Sequence, residues 1–324
     1  METQKLYVLA SIIVQDIREP IRIDSYLSQR YPETGRTQFQ KQIAKEWILI
    51  NNKAVDKGTK VFPDDHILIF TPYQSKLEWL ANAEIIPNIV YEDDDLILCN
   101  KPAGLQVHPA SGNHDNTLVN GLVSYLDKKK ETLHIVHRLD KFTSGLIVFA
   151  KTEKARDHLS EAFSNKTASR KYLALVWGSV DDQGSINEAI GRLPNNSKRF
   201  GVLSKFDGGK RALTHYRKVQ SFPFHSLVEC TLETGRTHQI RVHFQALGNP
   251  LVGDFEYGGN EIIRGIKEEK YFNAMHKLLA LFEGQALVAK RLSFPHPVSN
   301  EMMDFEVDLP ENFTEALTLL KKLS

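Results

Sequence analysis

His137-Arg138-Leu139-Asp140-Lys141-Phe142-Thr143-Ser144-Gly145-Leu146-Ile147-Val148-Phe149-Ala150-Lys151 joins a polar segment to an unbroken apolar run through a single glycine. The polar half reads as a loop and the apolar half as a buried strand, an arrangement that holds a reactive side chain at the end of a rigid element. Asp140 is the carboxylate so presented. A protein-kinase catalytic loop has a related sequence, His-Arg-Asp with an Asn five residues after the Asp. Here Leu139 precedes Asp140, Gly145 stands five places on, and neither a Gly-rich phosphate loop nor Asp-Phe-Gly occurs, so the kinase reading is discarded.

Outward from this stretch, strand-like runs at Asp95 to Cys99, Tyr172 to Trp177 and Leu227 to Leu232 alternate irregularly with helical patterns. Thr152 is positioned to cap a helix whose Ala155, Leu159, Ala162 and Phe163 share one face. Phe313, Ala316, Leu317 and Leu320 make a second such face near the C-terminus. Helices and strands without regular βαβ alternation predict an α+β domain over 88–324, built on a largely antiparallel mixed sheet with flanking helices.

The segment 16–70 reads as a separate small α/β domain. Ile23, Tyr26 and Leu27, then Phe39, Ile43 and Ala44, recur at helical spacing. Trp47 to Ile50 and Ala54 to Val55 flank the turn Asn51-Asn52-Lys53, and Pro63-Asp64-Asp65 leads into His66 to Phe70. With basic residues on its helices, this α-α-β pattern resembles the S4 RNA-binding domain, although Trp47 stands where that family usually has glycine. The resemblance implies RNA contacts from Arg22, Arg36 and Lys41, with Arg30 and Lys45 nearby. Residues 71–87, with two prolines and no clean period, read as a linker with a possible helical turn around Lys76 to Ala83.

Bulk properties set broad limits. The chain has 324 residues and 41% hydrophobic content, enough for one large domain and a smaller one. Tyr7 to Val14 is apolar but too short to span a bilayer and lacks a signal peptide's flanks, so no membrane association is expected and the cytoplasm is the expected location. Cys99 and Cys230 lie in apolar runs and read as buried free thiols in a reducing compartment. The net charge of +1 does not announce a polyanion binder, but Arg192 to Lys218 is strongly basic, with Asp207 its only carboxylate. That stretch fits a solvated hairpin and an RNA-facing surface equally.

The opening stretch is similar to the signature of the RluA-type pseudouridine synthases: His-Arg-Leu-Asp, two variable residues, Thr-Ser-Gly and an apolar strand ending in Ala-Lys. Tyr91-Glu92-Asp93-Asp94-Asp95-Leu96, Asn100-Lys101-Pro102-Ala103-Gly104-Leu105 and Val107-His108-Pro109 resemble the motif that opens this family's catalytic domain. Thr234-Gly235-Arg236-Thr237-His238-Gln239-Ile240-Arg241-Val242-His243 and the later Pro250-Leu251-Val252-Gly253-Asp254 resemble its third motif. One departure is Val288, where the family often places a histidine before Leu-x-Phe-x-His-Pro; that final element, Leu292 to Pro297, is intact.

The resemblance implies an enzyme that breaks the N1–C1′ bond of uridine, turns the base and rejoins it through C5. Such chemistry needs a group that forms a covalent intermediate and one that removes the C5 proton. Asp140 takes the first role, and a carboxylate in a base-sized pocket needs a cation to stay ionised. The resemblance assigns that cation to Arg236, and gives Tyr172 a place against the flipped base. His137 and Arg138 are assigned to RNA, Arg138 holding a phosphate or filling the gap left by the extruded nucleotide.

No cofactor is implied, since the isomerisation needs neither a redox partner nor an energy source. A metal site is not expected either: His238 with His243, and the run Asp93 to Asp95, match no ligand spacing, and adjacent strand carboxylates face opposite ways. The expected partner is RNA, ribosomal RNA of the large subunit first and transfer RNA second, with the protein acting as a monomer. A non-catalytic RNA-binding protein and a metal-assisted phosphoesterase are the competing classes.

Overall fold

The computed structural model describes residues 6–323 except 18, 32, 33, 73–78, 111, 128, 130, 195 and 205. It divides into two compact units, Met1–Glu78 and Trp79–Ser324.

In the first unit the chain forms β1 (Leu6–Ile13), β2 (Ile21–Arg22), α1 (Ile23–Arg30), α2 (Arg36–Ala44), β3 (Ile48–Ile50), β4 (Lys53–Ala54), β5 (Lys60–Val61) and β6 (His66–Pro72). A four-stranded sheet runs in the order β1-β6-β3-β4, and β2 pairs with β5. Ile23, Tyr26, Leu27, Phe39 and Ile43 bury against Ile48, Ile67 and Ile69, the faces expected from their spacing. Ile50 pairs with Lys53 around Asn51 and Asn52, both with positive φ (50° and 63°), a two-residue hairpin that asparagine tolerates well. Before β3 the left-handed residue is Glu46 (φ 57°), so Trp47 needs no glycine-like backbone.

Two expectations change. The unit starts before residue 16, because Tyr7 to Ile13 is an edge strand paired along β6 rather than a stray apolar run. The linker is shorter than 71–87, because residues from Trp79 onward pack with the second unit. The helical turn expected at Lys76 to Ala83 falls partly outside the described residues, and 79–83 are not helical.

The second unit contains β7 (Ile89–Glu92), β8 (Leu96–Lys101), α3 (Leu118–Asp127), β9 (His134–Ile135), β10 (Ser144–Ala150), α4 (Glu153–Ser164) and β11 (Ser169–Trp177). It continues with β12 (Gln183–Ile186), β13 (Ile190–Leu193), β14 (Asn196–Val202), β15 (Thr214–Phe222), β16 (His225–Leu232) and α5 (Gln239–Ala246). Then come α6 (Glu269–Ala280), β17 (Leu287–Pro295), β18 (Met302–Glu306) and α7 (Glu311–Lys321). Its main sheet runs β12-β15-β16-β11-β17-β10-β8-β7, with β18 on β17 and β9 on β10. The β10–β17 pair is parallel and the other paired strands of this sheet are antiparallel, the mixed sheet expected from the sequence.

Continuous apolar runs mark strands covered on both faces. Ile147 and Phe149 of β10 face a core shared with α3 and α5, while Leu146, Val148 and Ala150 face α4. Thr152 caps α4 by accepting from Ala155 N at 3.1 Å. Val288 is buried on the side of α6 and α7, beside Leu175 and Phe313, while Leu287 and Ala289 face the other core. An apolar side chain suits that layer, and β17 runs unbroken through it. Cys99 and Cys230 are both buried and free.

The register around β17 positions the site. Ala289 pairs with Gly145 on one side and Tyr172 on the other. Gly145 has φ +106°, and a Cβ there would lie 2.3 Å from the Ala289 carbonyl oxygen. The glycine thus lets β10 close onto β17 and brings the loop carrying Asp140 beside Tyr172.

Candidate active site

Asp140 lies in the loop between β9 and β10, at the start of a turn closed by Thr143 N donating to the Asp140 carbonyl at 3.1 Å. The loop is braced from behind. Lys101, fully buried, donates from Nζ to the carbonyls of Pro102, Leu105 and Lys141 at 2.8, 2.8 and 2.9 Å. Burial pulls its pKa down to about 7, opposed by the nearby Asp140, while three carbonyl acceptors match the three N–H groups of an ammonium. Gln285 donates to Thr143 Oγ1 at 3.0 Å, a second brace.

The carboxylate opens into a cavity of about 420 Å³ lined by Asp140, Tyr172, Leu287, Arg138 and residues 232–241. Its cation is Arg241, whose Nη1 lies 3.4 Å from Asp140 Oδ2. Arg241 is only 3% exposed and also holds Asp254 through Nε at 2.7 Å and Nη2 at 2.9 Å, and Glu256 at 2.7 Å. Burial alone would lower the pKa of this guanidinium, but the bonds to Asp254 outweigh it and keep it firmly charged. Most of its charge is committed to Asp254 and Glu256, so Asp140 is oriented by Arg241 without being fully satisfied by it. Its remaining lone pairs face the cavity.

The expected pairing of Asp140 with Arg236 is therefore corrected. Arg236 lines the same cavity, but its Nε donates to the Arg211 carbonyl at 3.0 Å. The two arginines sit either side of the α5 N-terminus, and only the one inside the helix, between Ile240 and Val242, is turned toward Asp140. Sequence reasoning also missed His238, whose Nε2 is 3.9 Å from Asp140 Oδ1 and whose Nδ1 meets Tyr257 Oη at 2.9 Å. Burial lowers its pKa despite the facing Asp140. A usable signal existed: an arginine among apolar helix residues must find carboxylates, and Asp254 and Glu256 follow closely.

Tyr172 stands on β11, 6% exposed, and lines the cavity. Burial raises its pKa, so it presents a neutral phenol at neutral pH. Arg138 is exposed at the cavity wall, where it can reach a nucleic acid. His137, expected among the RNA contacts, is turned inward instead. Its Nε2 accepts from Val148 N at 3.1 Å, and burial with the nearby Arg170 lowers its pKa to about 3.

The residues expected to bind RNA from the first unit divide similarly. Arg22 and Arg36 each grip the fully buried Asp24, with shortest contacts of 3.0 and 2.9 Å, joined by Gln40 at 2.7 Å. Burial would raise the pKa of Asp24, but these bonds hold it well below the usual carboxylate range. Part of the charge of both arginines thus goes to joining the starts of α1 and α2. Lys41 is exposed on α2.

The two histidines weighed as metal ligands are apart in role. His243 is buried, bonded to Thr214 Oγ1 and the Glu188 carbonyl, while His238 faces Asp140. Asp93, Asp95 and His296 come together, the two aspartates being alternate residues of the acidic run and the adjacent Asp94 standing outside the group. Asp93 there accepts from the backbone of Asp95 and Leu96 and from His296, which ties the β7–β8 turn to the chain just after β17.

A mixed sheet carrying a carboxylate oriented by a buried arginine at an open, polar cavity has the make-up of an enzyme site large enough for a nucleotide-sized group. Residues 95–246 match the family model described as RNA pseudouridylate synthase. The chain is 38% identical over 307 residues to the uncharacterized RNA pseudouridine synthase YlyB of Bacillus subtilis, covering 93% of this chain and 94% of that protein. It is also 38% identical over 309 residues to the ribosomal large subunit pseudouridine synthase D of Neisseria meningitidis serogroup A, covering 93% of this chain and 79% of that one. Among solved structures it resembles human RNA pseudouridylate synthase domain containing 4, with a TM-score of 0.58 and 25% identity over 72% of this chain and 93% of that one. The chain belongs to the RNA pseudouridine synthase family, isomerases that convert uridine to pseudouridine.

Proposed function

We propose that this protein isomerises selected uridines in large-subunit ribosomal RNA, with Asp140 forming the covalent intermediate, Arg241 orienting it and Tyr172 packing on the flipped base. The carrying observation is the Asp140 carboxylate, open to the cavity while its cation is shared with Asp254 and Glu256. In the reaction the N1–C1′ bond breaks and C5–C1′ forms, while C5 loses a proton and N1 gains one. Nothing is oxidised or reduced. The neutral phenol of Tyr172 suits stacking and hydrogen-bond donation.

The choice of RNA is supported by relatives named for the ribosomal large subunit. In this reading the first unit is an S4-like RNA-binding domain that uses Lys41 and the exposed edges of Arg22 and Arg36, and the protein works as a cytoplasmic monomer. Asp140→Asn should release no tritium from C5-labelled uridine in RNA while still binding it, because its shape and most polar contacts survive. Release at the wild-type rate would remove Asp140 from the mechanism. Pseudouridine mapping in cells with and without the gene should show discrete sites lost from large-subunit RNA. Loss confined to transfer RNA would redirect the substrate.

A further inference from the structure

Arg170 presents a cation to the catalytic cavity and, among the described residues, pairs with no anion. β11 carries it two residues before Tyr172, and both line the cavity. Its guanidinium carbon lies 5.0 Å from the centre of the Phe163 ring. Gly235 covers it closely: a Cβ there would come within 2.7 Å of Nη1. Among the described residues, no carboxylate lies within ion-pair distance of Arg170 and no acceptor takes any of its N–H groups. Nε is buried and unpaired. The other cavity arginines differ: Arg241 holds three carboxylates, Arg236 holds a carbonyl, and Arg138 is exposed to water.

A second donor that finds no acceptor among the described residues lies at the same end. His137 Nε2 accepts from Val148 N, so the proton of its neutral ring is on Nδ1, which is buried and unpaired. Its ring also rests on Phe163, with centroids 4.9 Å apart. A half-buried guanidinium beside an unanswered N–H is costly unless a ligand supplies acceptor oxygens. An extruded nucleotide brings its flanking phosphates with it, and a phosphodiester offers both the charge and the oxygens that an arginine fork fits.

We propose that Arg170, at the His137–Phe163 end of the cavity, binds the RNA phosphodiester next to the extruded uridine. This rests on the pseudouridine synthase reading of the cavity and adds a phosphate subsite to it. Arg170 is a binding residue, distinct from the Asp140–Arg241 pair.

The test is RNA affinity as a function of salt, using unmodified large-subunit ribosomal RNA made in vitro and the full-length protein. Losing one phosphate contact should reduce the slope of log affinity against log salt by about 0.7 to 0.9. From 50 to 200 mM salt, the wild-type advantage over Arg170→Gln should therefore shrink roughly 2.5- to 3.5-fold. Arg170→Lys should recover the slope, since it restores the charge. Gly235→Ala, which keeps the arginine but crowds Nη1, should repeat the loss. Parallel salt slopes for wild type and Arg170→Gln would overturn the proposal, even with weakened affinity, because they would mean a contact to a neutral group. A Lys variant as flat as Gln would overturn it too. Failure of the enzymatic reading appears separately, as absence of pseudouridine in RNA treated with wild-type protein, whatever the slopes.

Discussion

At the scale of single residues, the motif around Asp140 was legible because its loop-to-strand character and its order of residues survive without any structure. The identity of its cation was not. Arg236 and Arg241 occur in one motif, five residues apart, and only the start of α5 at Gln239 decides which of them turns inward. Arg241→Ala should lower the single-turnover rate by roughly two to four orders of magnitude, following the ~3–5 kcal/mol lost when a buried pair is broken. Arg241→Lys should recover only part of this, since a lysine cannot hold Asp254 through two nitrogens while reaching Asp140. Arg236→Ala should be much milder. Equal losses for the two alanine variants would return the pairing to the sequence-based assignment. Histidine gives a second residue-scale prediction. Burial lowers His225 to about 4, against an ordinary value of 6.5, with its Nε2 buried and unpaired and its ring 4.3 Å from that of Trp177. The unfolded chain then binds a proton that the folded chain refuses. The stability from this group is complete above about pH 6.5 and is lost as pH falls toward 4. Urea midpoints should drop across that window, and His225→Phe should flatten the drop; an unchanged pH profile would rule this histidine out as a cause.

At the scale of elements, β10 was legible from its apolar run because a strand covered on both faces has no polar side to show. α4 was legible from Thr152 and its apolar face. β1 was not, since an edge strand made of Leu6 to Ile13 gains its meaning only from its partner β6, far along the chain. The Asp93–Asp95–His296 cluster was hidden for the same reason. The junction of β10 and β17 is the most demanding local fit near the site, and its tolerance can be measured. Gly145→Ala forces a Cβ into the Ala289 carbonyl and an alanine into φ +106°. Strain and overpacking together should cost on the order of 2–6 kcal/mol. Because Ala289 also pairs with Tyr172, activity should fall further than the folded fraction does. A variant that melts like wild type and turns over normally would show that β17 yields at this point.

At the scale of the whole molecule, two units were legible from the change of period and the prolines between them, whereas the boundary was not. Proline and polar composition made 71–87 look like a tether, yet its second half is bound to α3. Asn120, fully buried, donates to the Leu80 carbonyl at 2.6 Å, and its own carbonyl accepts from Asn82 N at 3.0 Å. Asn82 also donates to the Asp115 carbonyl at 3.0 Å. Gly121 leaves room for Ile85, whose carbonyl oxygen would be 2.4 Å from any Cβ there. Trp79 packs against the same core. A protein beginning at Trp79 should therefore fold and isomerise RNA supplied in excess. One beginning at Pro87 should be less stable by about 2–4 kcal/mol, because it takes away the Leu80 acceptor and leaves the Asn120 amide only its 3.3 Å bond to the His114 carbonyl, and because it uncovers the apolar surface under Trp79 and Ile85. Both should bind RNA more weakly than the full chain, with salt slopes flattened by about 0.7 to 0.9 for each phosphate contact made by the first unit. Urea unfolding compares the two truncations, and salt titration compares each with the full chain. Coincident unfolding curves would make 79–87 a tether after all, and slopes parallel to the full chain would leave RNA binding to the second unit alone.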